Sequence, residues 1–371
     1  MSAAPVEGRI GFWAAVTVSI PDSGINNHFV CFLSEAFAGF GVDRVIWAWL
    51  RPVEDRRSEG APGRIATCCR NPLWQSLSAM SQRVLVTGGE GLLAFALRTL
   101  APADCEMTFL ARMDFDLIAP AQMEERLAAL RPDWVVNTAA YNLVEKCEQE
   151  REVSWAVNAT GPETLAKLCA EKNIRLIHYG TDYVFDGAKG SPYVEADRPN
   201  PLNFYGSGKL AGEQAVLAAS PQHVVMRTSW VFGSHPTQTK SYVHAVLRAA
   251  RAGNNLKATT DQASAPTVSD DLARWTIELI QKGGSGLFHA VNDEGVSRFD
   301  WTVAILEEAK KLKLVPEQIK VEPVTSDFFK STMRRPKRSI LANGKLAGVL
   351  GHSLGSWRSG LRKMLAQEAR R

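Results

Sequence analysis

The chain has 371 residues, 45% hydrophobic and 22% charged, an ordinary globular composition with room for one large or two smaller domains. Its formal net charge of +4 is small for this size and argues against a nucleic-acid partner, which needs basic residues gathered in a stripe. No apolar run reaches the roughly 18–20 residues of a membrane span, so no membrane partner is expected. Cys105, Cys147 and Cys169 fall in or near predicted elements and are read as reduced thiols, which points to a cytoplasmic location.

Residues 1–79 differ from the rest. They hold four of the ten tryptophans (Trp13, Trp47, Trp49 and Trp74) and no lysine. Residues 51–70 are rich in Arg, Gly and Pro and read as loop or disorder. Residues 12–20 and 44–50 read as short strands. No chemistry is apparent there. Because a well-formed strand-turn-helix unit begins just after Met80, residues 1–79 are either a genuine extension or sequence upstream of a natural start at Met80.

The unit starting at residue 83 carries the first motif. Arg83-Val84-Leu85-Val86-Thr87 is β-rich and apolar, as a buried parallel strand requires. Gly88-Gly89-Glu90-Gly91-Leu92-Leu93-Ala94 follows, and a helical pattern then runs through Leu100. In this Gly-x-x-Gly-x-x-Ala spacing Gly88 permits a tight turn, Gly91 lets backbone approach a pyrophosphate, and Ala94 allows close helix–strand packing. The next predicted elements are a strand over 107–110, a helix over 123–130, a strand over 133–137, one long helix over 153–172 and a strand over 174–179. Strands alternating with helices predict an α/β fold, a Rossmann-type doubly wound parallel sheet. The end of the second strand decides cofactor choice. There Arg112 stands where an acid would favour NAD, so NADPH is expected before NADH.

Reducing a ketone takes a hydride donor and a proton for the developing alkoxide. Tyr205 and Lys209 are four apart at the start of a predicted helix, which stacks them on one face. A lysine cation is expected to lower the phenol's pKa, ordinarily about 10. Thr181, at the carboxyl end of the fourth strand, can add a hydroxyl to the same oxygen. Beyond residue 234 the pattern predicts helices over 241–252, 272–281 and 298–312 and a strand over 286–291. The run 333–338, Met-Arg-Arg-Pro-Lys-Arg, is either a solvated basic loop or, through Arg335, a clamp for a nucleotide pyrophosphate. A division follows: 1–79 an atypical extension, 80–233 the dinucleotide-binding domain, 234–371 mainly a smaller substrate-binding domain with some segments returning to the sheet.

From about Gln82 to Met364 the chain resembles the dTDP-4-dehydrorhamnose reductase family of extended short-chain dehydrogenases. The matching stretches are Asn137-Thr138-Ala139-Ala140-Tyr141, Thr181-Asp182-Tyr183-Val184-Phe185, Tyr205 to Glu213, Arg227-Thr228-Ser229-Trp230, Asp261-Gln262 and Arg335-Pro336. The resemblance implies NADPH- or NADH-dependent reduction of the 4-keto group of a dTDP-6-deoxy sugar, with Tyr205 as proton donor, Lys209 on the nicotinamide ribose and Thr181 assisting. It further implies that Thr181, Asp182 and Trp230 contact the sugar. Gly91, Leu92 and Leu93 would touch the pyrophosphate, Asp116 and Leu117 would border adenine, and Ala139, Ala140 and Tyr141 would line the nicotinamide ribose. Asn142, Ser264 and Arg338 depart from the family's usual residues and are expected near the substrate, which leaves another sugar or base open. The oligomeric state stays open, with a homodimer among the options, and no acidic cluster argues for a metal. Two other functions stay in play: an epimerase or dehydratase of the same fold, and a non-catalytic subunit like that regulating methionine adenosyltransferase.

Overall fold

The computed structural model describes residues 5–6, 13–18, 29–34, 82–237, 241–331 and 333–371. The chain divides into two units, Met1–Trp74 and Gln75–Arg371. In the first, strands β1 (Pro5–Val6), β2 (Trp13–Val18) and β3 (Phe29–Ser34) pair antiparallel in that order. β2 meets the strand expected over 12–20, whereas the one expected over 44–50 lies outside the described residues.

The second unit alternates strands with helices. It runs β4 (Gln82–Thr87), α1 (Leu92–Leu100), β5 (Cys105–Leu110), α2 (Pro120–Leu130), β6 (Trp134–Asn137), α3 (Arg151–Trp155), α4 (Gly161–Glu171), β7 (Arg175–Thr181), α5 (Phe204–Ala219) and β8 (Val224–Thr228). Then come β9 (Val231–Phe232), α6 (Tyr242–Arg251), β10 (Leu256–Thr259), β11 (Ala263–Ser264), β12 (Thr267–Val268), α7 (Ser269–Lys282), β13 (Gly286–His289), β14 (Val296–Ser297), α8 (Arg298–Lys311), β15 (Val321–Val324), α9 (Gly344–Leu350) and α10 (Trp357–Glu368). Six strands form one parallel sheet in the order β13-β8-β7-β6-β4-β5. The chain steps outward from β4 to β5 and then returns to β4's other side at β6. That reversal opens a crevice at the carboxyl ends of β4 and β6, where open α/β sheets bind ligands.

Alternation along the strands decides which helices cover which face. Val84, Val86 and Val136 point to one side and pack with Leu97 of α1 and Leu272 and Leu279 of α7. Leu85, Val135 and Leu176 point to the other and pack with Leu127, Leu165 and Val216 of α2, α4 and α5. With both faces covered, these strands read as continuous apolar runs. A further core, holding Phe232, Leu247, Trp301, Ile305, Trp357 and Leu361, joins α6, α8 and α10. Cys147 and Cys169 are buried thiols, while Cys105 is half-buried. Among the described residues no helix is long and apolar enough to cross a membrane.

The helix expected over 153–172 is present and unbroken but not regular. It begins at Arg151, widens into a π turn over Ala156–Thr160, and resumes as α4. Pro162 lacks the N–H that a regular helix would spend at that point. The wide turn is gripped by tertiary contacts: a Cβ on Gly161 would lie 2.7 Å from the Leu117 carbonyl oxygen, and one on Gly212 would lie 2.2 Å from that of Asn158. Helix α2 starts three residues before the expected 123 because Pro120 occupies its first turn, where a missing donor costs nothing.

Candidate active site

At the crevice, Gly88 adopts φ +65, and a Cβ there would sit 3.0 Å from the Ala139 Cα across the gap. Only glycine brings β4 and β6 this close while turning left-handed. The Gly91 N–H donates to the Gly88 carbonyl at 2.8 Å, and Gly91 caps α1 without a side chain. The first N–H groups of α1 are therefore free to meet an anion. This cradle fits a dinucleotide pyrophosphate. Leu92 and Leu93 are half-buried beside it.

Arg112 follows β5, is exposed, and pairs with Asp116 at 3.2 Å. Asp116 also ties its own loop, accepting from the Ile118 N–H at 3.2 Å. Leu117 turns its side chain into the core below the sheet, so only its backbone remains for a ligand. On the opposite side Ala139 is half-buried and Ala140 exposed. The Tyr141 backbone is held twice by Asn158 of the π turn: its N–H donates to Oδ1 at 3.0 Å and its carbonyl accepts from Nδ2 at 2.9 Å. The Tyr141 hydroxyl donates to Glu150, and that hydrogen bond pushes the phenol up to about 12.

The catalytic candidates share one helix and one strand end. α5 starts at Phe204 because Asn203 accepts from the Gly206 N–H at 2.8 Å, which satisfies one of its unpaired donors. A Cβ on Gly206 would stand 2.3 Å from the Tyr183 carbonyl oxygen, so glycine lets this helix start lie against the segment after β7. Tyr205 is thereby delivered near Thr181, whose hydroxyl acts on the phenol in the direction of the phenolate. Lys209, one turn on, is buried on the same face.

The electrostatics correct one expectation. Lys209 does not lower the Tyr205 pKa; burial holds the phenol well above its ordinary value, against the smaller opposing effect of the Thr181 bond. The Lys209 Nζ is turned instead to His178 Nε2, 3.2 Å away. Behind it Asn137 Oδ1 accepts from Thr87 Oγ1 at 2.7 Å and from the Ala139 N–H at 3.2 Å. That leaves Asn137 Nδ2 to donate to His178 Nδ1 at 3.0 Å. The neutral ring then carries its proton on Nε2 and aims it at the amine. Burial acts in the same direction and lowers the Lys209 pKa to about 8, with Glu213 partly opposing. His178 and Asn137 were not singled out from sequence, since nothing in a strand's alternation marks a buried histidine as a lysine's partner.

Asp182, expected on the sugar, is buried beneath the site. Its Oδ2 accepts from Ser339 at 2.5 Å and Ser264 at 2.9 Å, and its Oδ1 accepts from Thr181 at 3.2 Å. Burial still pushes its pKa up to about 6. Ser264, expected near the substrate, is fully buried as part of this support. Asn142 is exposed on the loop after Tyr141, and Arg338 is exposed as well. Trp230 has φ +43, an uncommon conformation for a bulky residue. One of its ring faces is covered by Arg298, whose guanidinium carbon lies 3.4 Å from the ring centre. Arg335 pairs with Glu145, and the two line a cavity of about 1140 Å³ together with Arg298, Tyr242, Arg334 and Lys337. The basic run thus faces this cavity with three of its four cations. Asn203 links it to the catalytic helix by donating to the Arg334 carbonyl at 2.9 Å.

Three comparisons bear on this geometry. The sequence model described as the RmlD substrate binding domain matches residues 82–370. A dTDP-4-dehydrorhamnose reductase of Mycobacterium tuberculosis is 37% identical over 301 residues, covering 79% of this chain and 95% of that protein. One of Sinorhizobium fredii is 33% identical, covering 76% and 96%. The crystal structure of dTDP-4-dehydrorhamnose reductase from Bacillus anthracis, in complex with NADP, superposes with a TM-score of 0.72 at 28% identity, covering 78% of this chain and 100% of that one.

Proposed function

The chain belongs to the RmlD substrate-binding-domain family, and on that premise we propose that it reduces the 4-keto group of dTDP-4-dehydro-L-rhamnose, using NADPH, to give dTDP-L-rhamnose. The observation that carries this reading is the placing of Tyr205 and Lys209 one turn apart on α5, with Thr181 at the carboxyl end of β7, on the same sheet edge as the Gly88–Gly91 cradle. The cofactor-binding part spans 80–233, and 234–371 mainly holds the substrate.

NADPH, when bound, supplies a hydride to the carbonyl carbon. Gly88, Gly91, Leu92 and Leu93 hold its pyrophosphate, Arg112 meets the 2′-phosphate with Asp116 and the Leu117 backbone beside adenine, and Ala139, Ala140 and Tyr141 border the nicotinamide ribose. Tyr205 gives its phenolic proton to the oxygen that becomes the alcohol. A phenol held protonated by burial suits the role of acid, and Thr181 donates to the same oxygen as charge develops. Lys209 binds the ribose through its charged amine. Arg335 and Trp230 border the sugar nucleotide, with Asn142 at the mouth. Asp182 supports Thr181 from below.

The test mixes full-length protein with dTDP-4-keto-6-deoxy-L-sugar, made by the preceding epimerase, and follows NADPH absorbance. Oxidation that disappears in Tyr205→Phe supports the proposal. A wild-type protein that binds NADPH yet oxidises none with this sugar removes the substrate assignment.

A further inference from the structure

Arg298 begins α8. Its guanidinium carbon lies 3.4 Å from the ring centre of Trp230, 4.3 Å from that of Tyr242 and 5.3 Å from that of Trp301. Trp301 itself stacks on Trp230 at 5.2 Å and on Tyr242 at 5.1 Å, so the rings form one rigid enclosure. Aromatic faces hold a guanidinium through its plane and leave its in-plane N–H groups available. Among the described residues no carboxylate forms an ion pair with it, and it lines the 1140 Å³ cavity. Burial lowers its pKa only to about 10, so the group stays charged at neutral pH. A half-buried cation held on aromatic faces without a counter-ion favours an anion that enters.

Its position says which anion. Two other cavity cations already have partners: Arg335 is paired with Glu145, and Lys337, whose side chain is 69% exposed, lies 3.8 Å from Asp261. Arg298 lies on Trp230, two residues beyond Thr228, which is paired with Thr181 across β7 and β8, and so sits at the catalytic end. The Tyr183 ring meets the Tyr205 ring edge-on at 5.8 Å. In a nucleoside diphosphate sugar reacting at Tyr205, the anion nearest that end is the phosphate esterified to the sugar.

We propose that Arg298 is a specificity residue that binds the sugar-linked phosphate of the substrate, with the Trp230–Tyr242–Trp301 enclosure fixing its orientation. The inference rests on the reading of this site as a nucleotide-sugar reductase. It also limits Trp230, whose Arg298-covered face is closed to a sugar ring.

Full-length wild type and Arg298→Met are titrated calorimetrically with dTDP and dTMP, which differ by that phosphate, with UDP and UMP in parallel. Wild type binds the diphosphates more tightly than the monophosphates. In Arg298→Met, dTDP binding weakens by about thirtyfold while dTMP binding holds, so the two converge. Unchanged dTDP affinity, or equal weakening of both nucleotides, overturns the proposal, as does a wild type that does not discriminate between them. Arg298→Gln keeps a planar head against the rings and must show the same convergence if the Met variant fails to unfold cooperatively. Discrimination without any turnover leaves this proposal standing and removes the reductase reading. Turnover whose KM is unmoved in Arg298→Met does the reverse.

Discussion

Nε2 of His178 lies 3.2 Å from Nζ of Lys209, so the lysine of the catalytic helix is anchored to the sheet through a buried imidazole. The amine receives an N–H there, which favours its uncharged form. In the free enzyme kcat/KM is expected to fall as pH rises through about 8, where Lys209 loses its charge. His178→Leu removes the donor and moves that limb to higher pH. It also leaves the Asn137 amide unsatisfied, costing about 1–3 kcal/mol of stability. A pH–rate profile with an unmoved alkaline limb would sink the assignment.

Stability has its own pH signature at Asp182. Its folded pKa, about 6, lies above its ordinary 3.8. Between these values the folded chain holds a proton that the unfolded chain has released. Stability therefore falls as pH rises from about 4 to about 6 and then levels, an effect on the order of 3 kcal/mol. Asp182→Asn removes the titration and is expected to match or exceed the wild type in denaturant at pH 7. A variant that is much weaker there would show that the carboxylate's bonds to Ser264 and Ser339 outweigh its burial.

Glu213 and Arg227 form a buried ion pair, with Arg227 Nε 3.0 Å from Glu213 Oε2. It fits beside β7 only because Gly180 has no side chain: a Cβ there would lie 2.9 Å from both Glu213 Oε2 and Arg227 Cγ. Glu213→Ala strands a buried guanidinium and is expected to cost about 3–5 kcal/mol, read by chemical denaturation. Glu213→Leu combined with Arg227→Met should recover much of that loss. A single variant within 1 kcal/mol of wild type (roughly the value of an exposed pair) would contradict the burial argument.

Arg112→Ala tests cofactor choice. With its 2′-phosphate partner removed, NADPH is expected to bind about tenfold more weakly while NADH changes little. Equal effects on the two cofactors would return Arg112 to the role of Asp116's surface partner.

What could be read beforehand follows from the range of the interactions involved. Gly88, Gly91, Tyr205 and Lys209 act through fixed local spacings, and the parallel sheet through uninterrupted apolar strands; all of these are written in consecutive residues. Arg298 looks like any surface arginine until Trp230 and Tyr242 close on it from 68 and 56 positions away. His178 likewise becomes legible only once α5 lies against β7. Ser264 looked like a substrate contact because a departure from family pattern locates a difference, and the structure places that difference beneath Asp182.

The π turn over Ala156–Thr160 carries a consequence for how this crevice tolerates insertion and deletion. A wide turn adds one residue to a helix without changing where the helix goes next. Shortening it by one residue would let α3 and α4 merge into a smooth rod, at little cost to either. It would also swing Asn158 through about 100 degrees, one residue's rotation at 3.6 per turn, and free the Tyr141 backbone that it clasps. Single-residue deletions here should therefore yield folded proteins whose defect is confined to the Ala139–Tyr141 loop, even though no residue of that loop has changed.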